Sequence, residues 1–482
     1  MGGYDELVSY DLILLAIAVY AVAVIVTLIY EERDPSTTLA WILVLLLVPV
    51  LGVGLYLLFG RDLRRSGARD RRRQEATALA AEALREVRGC YRFADTETAA
   101  DPLFAGVSRA IERFNGTTAL PCVDLQIFST GDEKFARLLE DIEGAKRFVH
   151  LQYFIWESDD LTQQVCDLLA RKVHEGVEVR VLYDWIGSAP YGKKQLKALR
   201  AAGAQVRPDR ADWRKLNFRN HRKTVVIDGR IAYTGGMNMG REYADGGRRF
   251  DVWRDTHVRF EGPLVHDVHA LYCSRWYRVT GESLFDAERF PEPEPLPESG
   301  WVWAQLAFSG PESQWQALRH VLLFAISHAN ASVRVQSPYY VPDQTIADAL
   351  AASAFAGIDV KLMMAGVHDK RLPWWAAFSY LDELVAAGAT VLQYEAGFLH
   401  AKAVTVDGRL ASIGTTNFDY RSFALHDELQ LFFYDAAIAR RQEALFDADS
   451  LCCRELTGEV LARIGPLARF RNAVARLFSR AL

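Results

Sequence analysis

A short pattern that occurs twice constrains this chain more than any other feature. In each copy a His is followed two residues later by a Lys, then after five by an Asp, after seven by a Gly and after three by an Asn. The first copy begins at His221 and the second begins at His400, 179 residues further along. A single match can arise by chance, whereas two in register indicate two related halves that build one site.

The residues between the fixed positions predict a β-hairpin in each copy. A run of β-branched residues ends in Asp-Gly at Asp228 and again at Asp407, and this dipeptide favours a tight hairpin turn. Residues two apart on a strand project from one face, so His and Lys share a face. With a two-residue turn, we expect each His opposite the residue after the motif Gly, with the Asn just beyond. Two such patches, facing each other, would enclose a pocket.

This set of side chains suits phosphoryl transfer. A neutral His can attack phosphorus as a covalent nucleophile, and a protonated His can donate a proton to the leaving oxygen and later take one back. Ammonium and amide groups can bind the non-bridging oxygens. For one copy alone, a surface hairpin is an equally good interpretation; the matched pair favours a site. The candidate catalytic residues are His221, Lys223, Asp228, His400, Lys402 and Asp407, and the candidate phosphate ligands are Lys223, Asn238, Lys402 and Asn417.

The duplicated pattern resembles the HKD signature of the phospholipase D superfamily. In that family a carboxylate that opens a strand shortly after the Asn accepts a hydrogen bond from the catalytic His and fixes its tautomer. The resemblance implies this orienting role for Asp255 and Glu428, which stand at equivalent places. The Asp of each motif is interpreted as a turn and scaffold residue more than as a participant in the reaction. One departure is Gly236, where the family usually has Ser.

The two halves repeat beyond the motif. Residues 148–154 resemble residues 332–339, and residues 176–182 resemble residues 357–363. Apolar strand-like runs alternate with helical stretches in both halves, which predicts an α/β sandwich in each. The resemblance implies that a pseudo-twofold relates the halves and brings the two motifs together.

The expected domain boundaries follow changes in composition along the chain. The Pro-Glu-rich stretch 290–295 is typical of a linker. We expect a transmembrane hairpin at 1–61, a basic juxtamembrane and helical connector at 62–118, a first HKD domain at 119–290, a second at 300–460, and a basic amphipathic helix at 461–482. That last helix suits either an anionic membrane surface or a position docked on the catalytic domain.

The N-terminal region predicts two membrane spans. Residues 12–30 and 37–60 are runs of 19 and 24 residues without a charge, and each is long enough for a hydrocarbon core of about 30 Å. A signal peptide would need a basic start, whereas Asp5, Glu6 and Asp11 precede the first run. The Arg-rich segment after the second run predicts a cytoplasmic location for the bulk of the chain, and it also suits anionic lipid headgroups.

Composition excludes several classes of protein. The net charge of −5 over 482 residues argues against a nucleic-acid partner, which usually leaves a basic footprint. Six Cys without C-x-x-C spacing indicate neither a zinc site nor a disulfide framework. His266 and His269 are interpreted as helix-face residues, and His426 and Trp253 as structural. We therefore expect no metal and no cofactor.

The whole layout, including residues 32–41 between the spans, resembles bacterial cardiolipin synthases with two HKD motifs. The resemblance implies a phosphatidyltransferase of the inner membrane, multi-pass, with its catalytic domains on the cytoplasmic side and phosphatidylglycerol as its substrate. His221 would form a phosphohistidine while His400 protonates the glycerol, and a second phosphatidylglycerol would then attack. The symmetry of the motifs leaves the two His roles interchangeable. The sequence also leaves open whether phosphatidylethanolamine or another alcohol serves as the second substrate. The alternative is a membrane-bound phospholipase D-type hydrolase of phospholipids or other phosphodiesters.

Overall fold

The computed structural model describes residues 2–30, 35–60, 70–191, 193–210, 217–313 and 315–479. The chain divides into two compact units. One consists of residues 1–63 with 211–218, and the other of residues 64–210 with 219–482.

The N-terminal part of the first unit is helical. Its helices are α1 (Gly2–Tyr30), α2 (Pro35–Leu47) and α3 (Pro49–Phe59). Helix α2 ends before Val48, which has φ −136° and ψ 68°, and Pro49 opens α3; a proline has no N–H to continue the preceding helix, and its ring clashes with the carbonyl four residues back. No helix in the described part of the chain combines the length and apolar character needed to cross a bilayer. The transmembrane hairpin is thus not confirmed, and the Arg cluster at 61–69 lies outside the described residues.

The second unit is built on one mixed sheet of sixteen strands. Strands β1 and β10 pair antiparallel at its centre, with Leu120 opposite Ala304. Outward from this pair the order is β1-β9-β7-β6-β2-β3-β4 in one half and β10-β19-β17-β16-β11-β13-β14 in the other, with β20 at the outer edge of the second half and β5 paired to β19. The strands are β1 (Leu120–Phe128), β2 (Phe148–Tyr153), β3 (Glu178–Asp184), β4 (Gln205–Asp209), β5 (Arg219–Asn220), β6 (Thr224–Ile227), β7 (Ile231–Gly235), β8 (Trp253–Arg254), β9 (His257–Glu261), β10 (Trp301–Ser309), β11 (Ser332–Gln336), β12 (Tyr340–Val341), β13 (Asp359–Ala365), β14 (Thr390–Tyr394), β15 (Phe398–Leu399), β16 (Ala403–Val406), β17 (Leu410–Gly414), β18 (Phe418–Asp419), β19 (His426–Tyr434) and β20 (Cys453–Glu455).

Helices pack against this sheet and complete the α/β fold that the sequence predicts. Strands β2, β3 and β4 run parallel to one another, as do β11, β13 and β14, and parallel strands need covering helices. The helices are α4 (Arg71–Ala83), α5 (Arg85–Cys90), α6 (Pro102–Asn115), α7 (Gly131–Gly144), α8 (Asp160–His174), α9 (Lys194–Ala201), α10 (Glu242–Asp245), α11 (Leu264–Thr280), α12 (Ala317–Ser327), α13 (Gln344–Phe355), α14 (Arg371–Ala386), α15 (Tyr420–Ala424), α16 (Ala436–Ser450), α17 (Gly458–Ala462) and α18 (Pro466–Arg476).

Local sequence explains where the main helices begin. Asp159 accepts a hydrogen bond from the N–H of Thr162, whose hydroxyl side chain bonds back to the N-cap, so α8 starts with a capping box. Asp343 caps α13 by accepting the N–H of Ile346 with its side chain. The helical stretches expected from the sequence therefore appear at α8 and α13.

The segments that precede, join and follow the two halves have the following structure. The connector is broken between α4 and α5, and α6 buries Leu103, Val107 and Ile111 in the core of the second half. Residues 281–300, all described, contain neither helix nor strand, as expected around a Pro-Glu-rich linker. At the C-terminus, Pro466 opens a new helix after α17, and α18 lies against α14; Arg480 is outside the described residues.

Candidate active site

Each motif forms a hairpin, but the register differs from the expected one. Asp228 and Gly229 both have positive φ, 54° and 68°, as a type I′ turn requires. The ladder, however, pairs Ile227 with Ile231, so Arg230 is an additional unpaired residue. The second hairpin has the same turn and the same extra residue. The prediction of a plain two-residue turn, and of each His opposite the residue after the motif Gly, is therefore wrong by one position.

The Asp of each motif fastens its turn to the neighbouring strand. The Asp228 carboxylate accepts the backbone N–H groups of Lys146, Arg147 and Phe148 at 2.8, 2.8 and 2.9 Å. The Asp407 carboxylate accepts those of Asn330, Ala331 and Ser332 in the same way. Both carboxylates thus satisfy backbone donors at the start of β2 or β11, at the turn end of the hairpin. Although predicted as catalytic, the two Asp are not brought to the histidines.

Each motif His is held by a short ladder to the opposite half. Strand β5, just before His221, pairs in parallel with the start of β19, and the His221 N–H donates to the Asp427 carbonyl at 2.9 Å. Strand β15, just before His400, pairs in parallel with β8, and the His400 N–H donates to the Arg254 carbonyl at 2.7 Å. These ladders bring the two motifs into one site.

The two imidazoles also take their carboxylates from the opposite half. His221 Nδ1 lies 2.9 Å from Glu428 Oε1, and His400 Nδ1 lies 2.7 Å from Asp255 Oδ2. Both carboxylates are fully buried. A carboxylate can only accept, so each Nδ1 carries the proton and each Nε2 keeps its lone pair. Such a pair has the geometry of a nucleophile or base with an orienting third group.

Burial and nearby ammonium groups keep both imidazoles neutral. Burial, with the charges of Lys223 and Lys402, holds the pKa of His221 well below its ordinary value. Burial and Lys402 lower the pKa of His400 to about 4, against the opposing effect of Asp255. Both rings are therefore uncharged at neutral pH in the free protein.

The two motif lysines are fully buried beside the histidines. Lys223 Nζ donates to the carbonyl of His221 at 2.6 Å, and Lys402 Nζ donates to the carbonyl of His400. Burial lowers the pKa of Lys402 to about 8 and that of Lys223 well below its ordinary value. Because a buried ammonium is costly without a counter-charge, this site favours an anion.

The motif asparagines lie in the same part of the molecule but have different partners. Asn238 Oδ1 accepts the N–H of Ile155 at 3.1 Å. Asn417 Nδ2 donates to Asp419 Oδ2 at 3.1 Å, while its buried Oδ1 has no hydrogen-bond partner in the described structure. Asn238 therefore holds the loop at Ile155 through its amide oxygen and also hydrogen-bonds to Tyr243, where this bond opposes the rise that burial causes in the pKa of the phenol, whereas Asn417 has one amide hydrogen engaged by Asp419.

The Gly236 departure has a steric cause. A Cβ at Gly236 would fall on Oδ1 of Asp255 and lie 2.7 Å from its Cγ. At the equivalent place in the other half, the Thr415 hydroxyl donates to Glu428. One half therefore fills this space with the orienting carboxylate itself, and the other adds a hydroxyl donor to a longer carboxylate.

Aromatic rings flank both imidazoles, and no sequence motif indicates them: the Phe154 ring centroid is 4.8 Å from that of His221 and the Phe398 centroid is 5.8 Å from that of His400. The His426 ring centroid is 5.5 Å from that of His221, and the Trp253 centroid is 5.0 Å from that of His400. Trp253 Nε1 also donates to Asp255 at 3.3 Å. Both residues precede the orienting carboxylate by two positions, and on β19 this spacing puts His426 and Glu428 on the same face of the strand. The interpretation of His426 and Trp253 as structural residues stays a prediction.

Lys134 of α7 is a further buried lysine, and no motif of the sequence indicates it. Its side chain is fully buried, and its Nζ lies 3.2 Å from the Tyr153 hydroxyl. Burial lowers its pKa strongly, and the charge of Asp255 acts against that shift. A lone Lys in an amphipathic helix carries no sequence signature for this position.

Two groups of possible metal ligands occur in the described residues. His221, His426 and Glu428 belong to the site above, and His150, His269 and Cys273 lie inside the first half. His150 Nδ1 is 2.9 Å from His269 Nε2, and both side chains are fully buried. His266 is buried as well, so the two helix histidines face the core. The absence of a metal stays a prediction.

Comparisons with known proteins agree with this geometry. The family described as "Cardiolipin synthase, PLD-like domain" matches residues 138–248 and 322–450, and the one described as "Phospholipase D-nuclease N-terminal" matches residues 16–61. The major cardiolipin synthase ClsA of Bacillus subtilis is 37% identical over 94% of this chain and 95% of its own length. A cardiolipin synthase of Oceanobacillus iheyensis is 35% identical over 96% and 97%.

A solved structure agrees with the fold alone. The phosphatidylserine synthase of Haemophilus influenzae superposes with a TM-score of 0.58 at 16% identity, over 78% of this chain and 100% of that one. Fold and paired motifs together define a phospholipase D-like protein with two HKD halves. Within that superfamily, the chain belongs to the cardiolipin synthase family.

Proposed function

We propose that this protein is a cardiolipin synthase that transfers the phosphatidyl group of one phosphatidylglycerol to another and releases glycerol. The observation that carries the proposal is the crossed pair of imidazoles, each oriented by a carboxylate of the opposite half and flanked by a buried ammonium. Full-length similarity to cardiolipin synthases supports the choice of substrate.

In the first step, His221 Nε2 attacks the phosphorus. The P–N bond forms as the bond to the glycerol oxygen breaks, and His400 supplies the proton to that oxygen. His400 is neutral in the free protein because its pKa is about 4. A bound phosphodiester anion raises that pKa by favouring the charged imidazole, so that substrate binding charges the acid.

In the second step, His400 returns to its role as a base. It takes the proton of the terminal hydroxyl of a second phosphatidylglycerol, whose oxygen attacks the phosphohistidine. The P–N bond breaks, His221 regains its lone pair, and cardiolipin forms. Since the two half-reactions are mirror images, one pair of imidazoles serves both.

The phosphate ligands are the two ammonium groups and the two amides of the motifs. Lys223 and Lys402 neutralise the non-bridging oxygens where negative charge accumulates. Asn238 and Asn417 donate from their amide groups to the same oxygens. Asp255 and Glu428 hold the rings in the tautomer that directs Nε2 to phosphorus. Burial of these groups limits the access of water, which would hydrolyse the intermediate.

We assign the protein to the bacterial inner membrane, as a multi-pass protein with its catalytic domains on the cytoplasmic side. The support comes from the two charge-free runs, 12–30 and 37–60, and from the basic segment after them. Phosphatidylglycerol and other anionic lipids are the expected partners, without nucleic acid.

The test uses the purified full chain with phosphatidylglycerol in mixed micelles and EDTA. We expect cardiolipin and free glycerol in equal amounts. Phosphatidate without cardiolipin would instead identify a hydrolase. A second series with phosphatidylethanolamine added measures which lipid serves as the acceptor, and abolition of turnover by EDTA would overturn the metal-free scheme.

A further inference from the structure

The C-terminal helix α18 carries an exposed apolar stripe. The stripe consists of five exposed side chains, of which Leu467, Phe470 and Val474 lie on α18 and Leu477 and Phe478 lie in the turn that directly follows it. Leu467 and Leu477 are 81% and 82% exposed, and Phe470 is 68% exposed. Contiguous apolar patches of this kind on a folded domain mark an interaction surface.

The opposite face of the same helix is fixed to the domain. Asn472 and Ala475 are buried there. Arg469 forms an ion pair with Asp382 of α14 at 3.2 Å, and the Arg471 guanidinium lies 4.7 Å from the ring centroid of Trp375. The stripe is therefore held in a defined orientation by α14 rather than free to fold back.

The charge around the stripe selects its occupant. Residues 461–482 contain five Arg and no acidic residue: Arg463, Arg469, Arg471, Arg476 and Arg480. A helix with Leu and Phe on one face and Arg along its flanks is suited to the headgroup boundary of an anionic bilayer. The length of α18, 11 residues, extends the helical part of the stripe over about 16 Å of that surface.

The supporting helix α14 leads back to the candidate site. It begins at Arg371, directly after Lys370, whose charge contributes to the lowered pKa of His221. Just before it, Asp369 accepts a hydrogen bond from the Tyr339 hydroxyl. A surface bound to α18 is therefore linked through helix α14 to the residues around His221.

We propose that the apolar stripe of α18 inserts into the headgroup boundary of an anionic lipid bilayer and holds the active site at the lipid surface. The role of this docking, to bring the active site to its lipid substrate, rests on the proposed function. The contact between the stripe and the bilayer does not depend on catalysis. It adds a second attachment to the membrane, separate from the N-terminal segments, on the catalytic unit itself.

The first test measures the environment of the stripe directly. In a chain with Cys90, Cys452 and Cys453 changed to Ser, Phe470→Cys is labelled with a polarity-sensitive fluorophore and the full chain is reconstituted in nanodiscs containing phosphatidylglycerol. We expect a blue-shifted emission that doxyl-labelled lipids quench. The matched control is Leu451→Cys, at an 87% exposed apolar residue outside the stripe, whose label should stay in water.

Two results would overturn the proposal. A Phe470→Cys label with water-like emission, unquenched by doxyl lipids, shows that the stripe does not meet the bilayer. A blue-shifted label that doxyl lipids leave unquenched, with cross-linking between chains at this position, shows that a second copy covers the stripe instead.

The second test separates docking from chemistry. The variant Leu467→Ser/Phe470→Ser/Leu477→Ser should lose about fivefold or more of its rate on phosphatidylglycerol in bilayers, through KM at the surface. On short-chain phosphatidylglycerol dispersed as monomers its rate should match that of the unchanged chain, as should Leu451→Ser on both substrates. Equal losses on both substrates would contradict docking. If the unchanged chain makes no cardiolipin, the proposed function fails while the fluorescence result still decides the docking.

Discussion

His221 Nδ1 lies 2.9 Å from Oε1 of Glu428, a residue 207 positions further along the chain and in the opposite half. His400 and Asp255 form the reciprocal pair at 2.7 Å. Neither half therefore contains a complete nucleophile with its orienting group. The site exists only where the halves meet, so any change that alters their contact also alters both imidazoles.

Removing the charge of an orienting carboxylate should cost activity without unfolding the chain. Glu428→Gln and Asp255→Asn keep the shape and an accepting oxygen but lose the anion that fixes the Nδ1–H tautomer. We expect each to lower kcat by about 10²- to 10⁴-fold, the contribution typical of a positioned acid or base. The measurement is kcat for cardiolipin formation, beside the melting temperature.

The matched control for these variants is Glu455→Gln, at an exposed position of the edge strand β20. It should leave kcat unchanged. A kcat of Glu428→Gln within twofold of the unchanged chain would contradict the orienting role.

Gly236 should tolerate no side chain. Gly236→Ala puts a Cβ onto Asp255 Oδ1, so the carboxylate must move away from His400 and the tautomer is no longer fixed. We expect kcat to fall by about a hundredfold or more. Thr415→Ser, at the equivalent place, keeps the hydroxyl that donates to Glu428 and should keep most activity. A fully active Gly236→Ala would show that the Asp255 position is not required.

The motif Asp residues should affect stability and leave the chemistry intact. Asp228→Ala removes an acceptor of three backbone N–H groups, and we expect a loss of about 3 kcal/mol of unfolding free energy. The folded fraction should keep its kcat at low temperature. The measurement pairs denaturant unfolding with activity; a variant of unchanged stability and no activity would return Asp228 to the catalytic set.

The sequence predicted the members of the site better than their arrangement. Spacing alone identified His221, Lys223, His400 and Lys402, because a five-position pattern repeated in register is specific. It did not reveal that each His is held by the other half. The ladders responsible, β5 with β19 and β15 with β8, have only two residue pairs each, and so short a strand leaves no periodic signal.

The errors have local physical causes. The predicted hairpin register is wrong by one position. The Asp-Gly turn is present as predicted, but one extra residue, Arg230 in the first copy, follows it before the strand pairing begins. The run from 37 to 60 reads as one apolar segment, but Pro49 divides its helix. Lys134 escaped notice because burial of a single Lys is decided by tertiary packing.

Activity should fall at alkaline pH as Lys402 loses its proton. Burial lowers the pKa of Lys402 to about 8, so the cation is present below that pH and is lost above it. We expect kcat/KM, which reports the free enzyme, to decline above about pH 8. In Lys402→Arg, whose guanidinium stays charged, the rate should be lower but the alkaline limb should move upward. An unshifted limb would assign it to another group.

Acid should destabilise the fold through its buried histidines. Burial lowers the pKa of His266 to about 4, below the value of about 6.5 for an unfolded chain. The unfolded state therefore binds the proton first, and the stability contributed by the neutral ring is complete above about pH 6.5 and is lost as the pH falls toward 4. His266→Asn should reduce the slope of unfolding free energy in this window by about 1 kcal/mol per pH unit. An identical slope would contradict a neutral, buried His266.

Capture of the covalent intermediate is the most direct test of phosphatidyl transfer through His221. The full chain is mixed rapidly with phosphatidylglycerol, denatured in alkaline detergent, in which a phosphohistidine persists, and digested for mass spectrometry. We expect a phosphatidyl adduct on the peptide that contains His221, formed before cardiolipin appears and absent from Glu428→Gln at the same time point. An adduct on His400 would reverse the two roles, and turnover without any adduct would contradict transfer through a histidine.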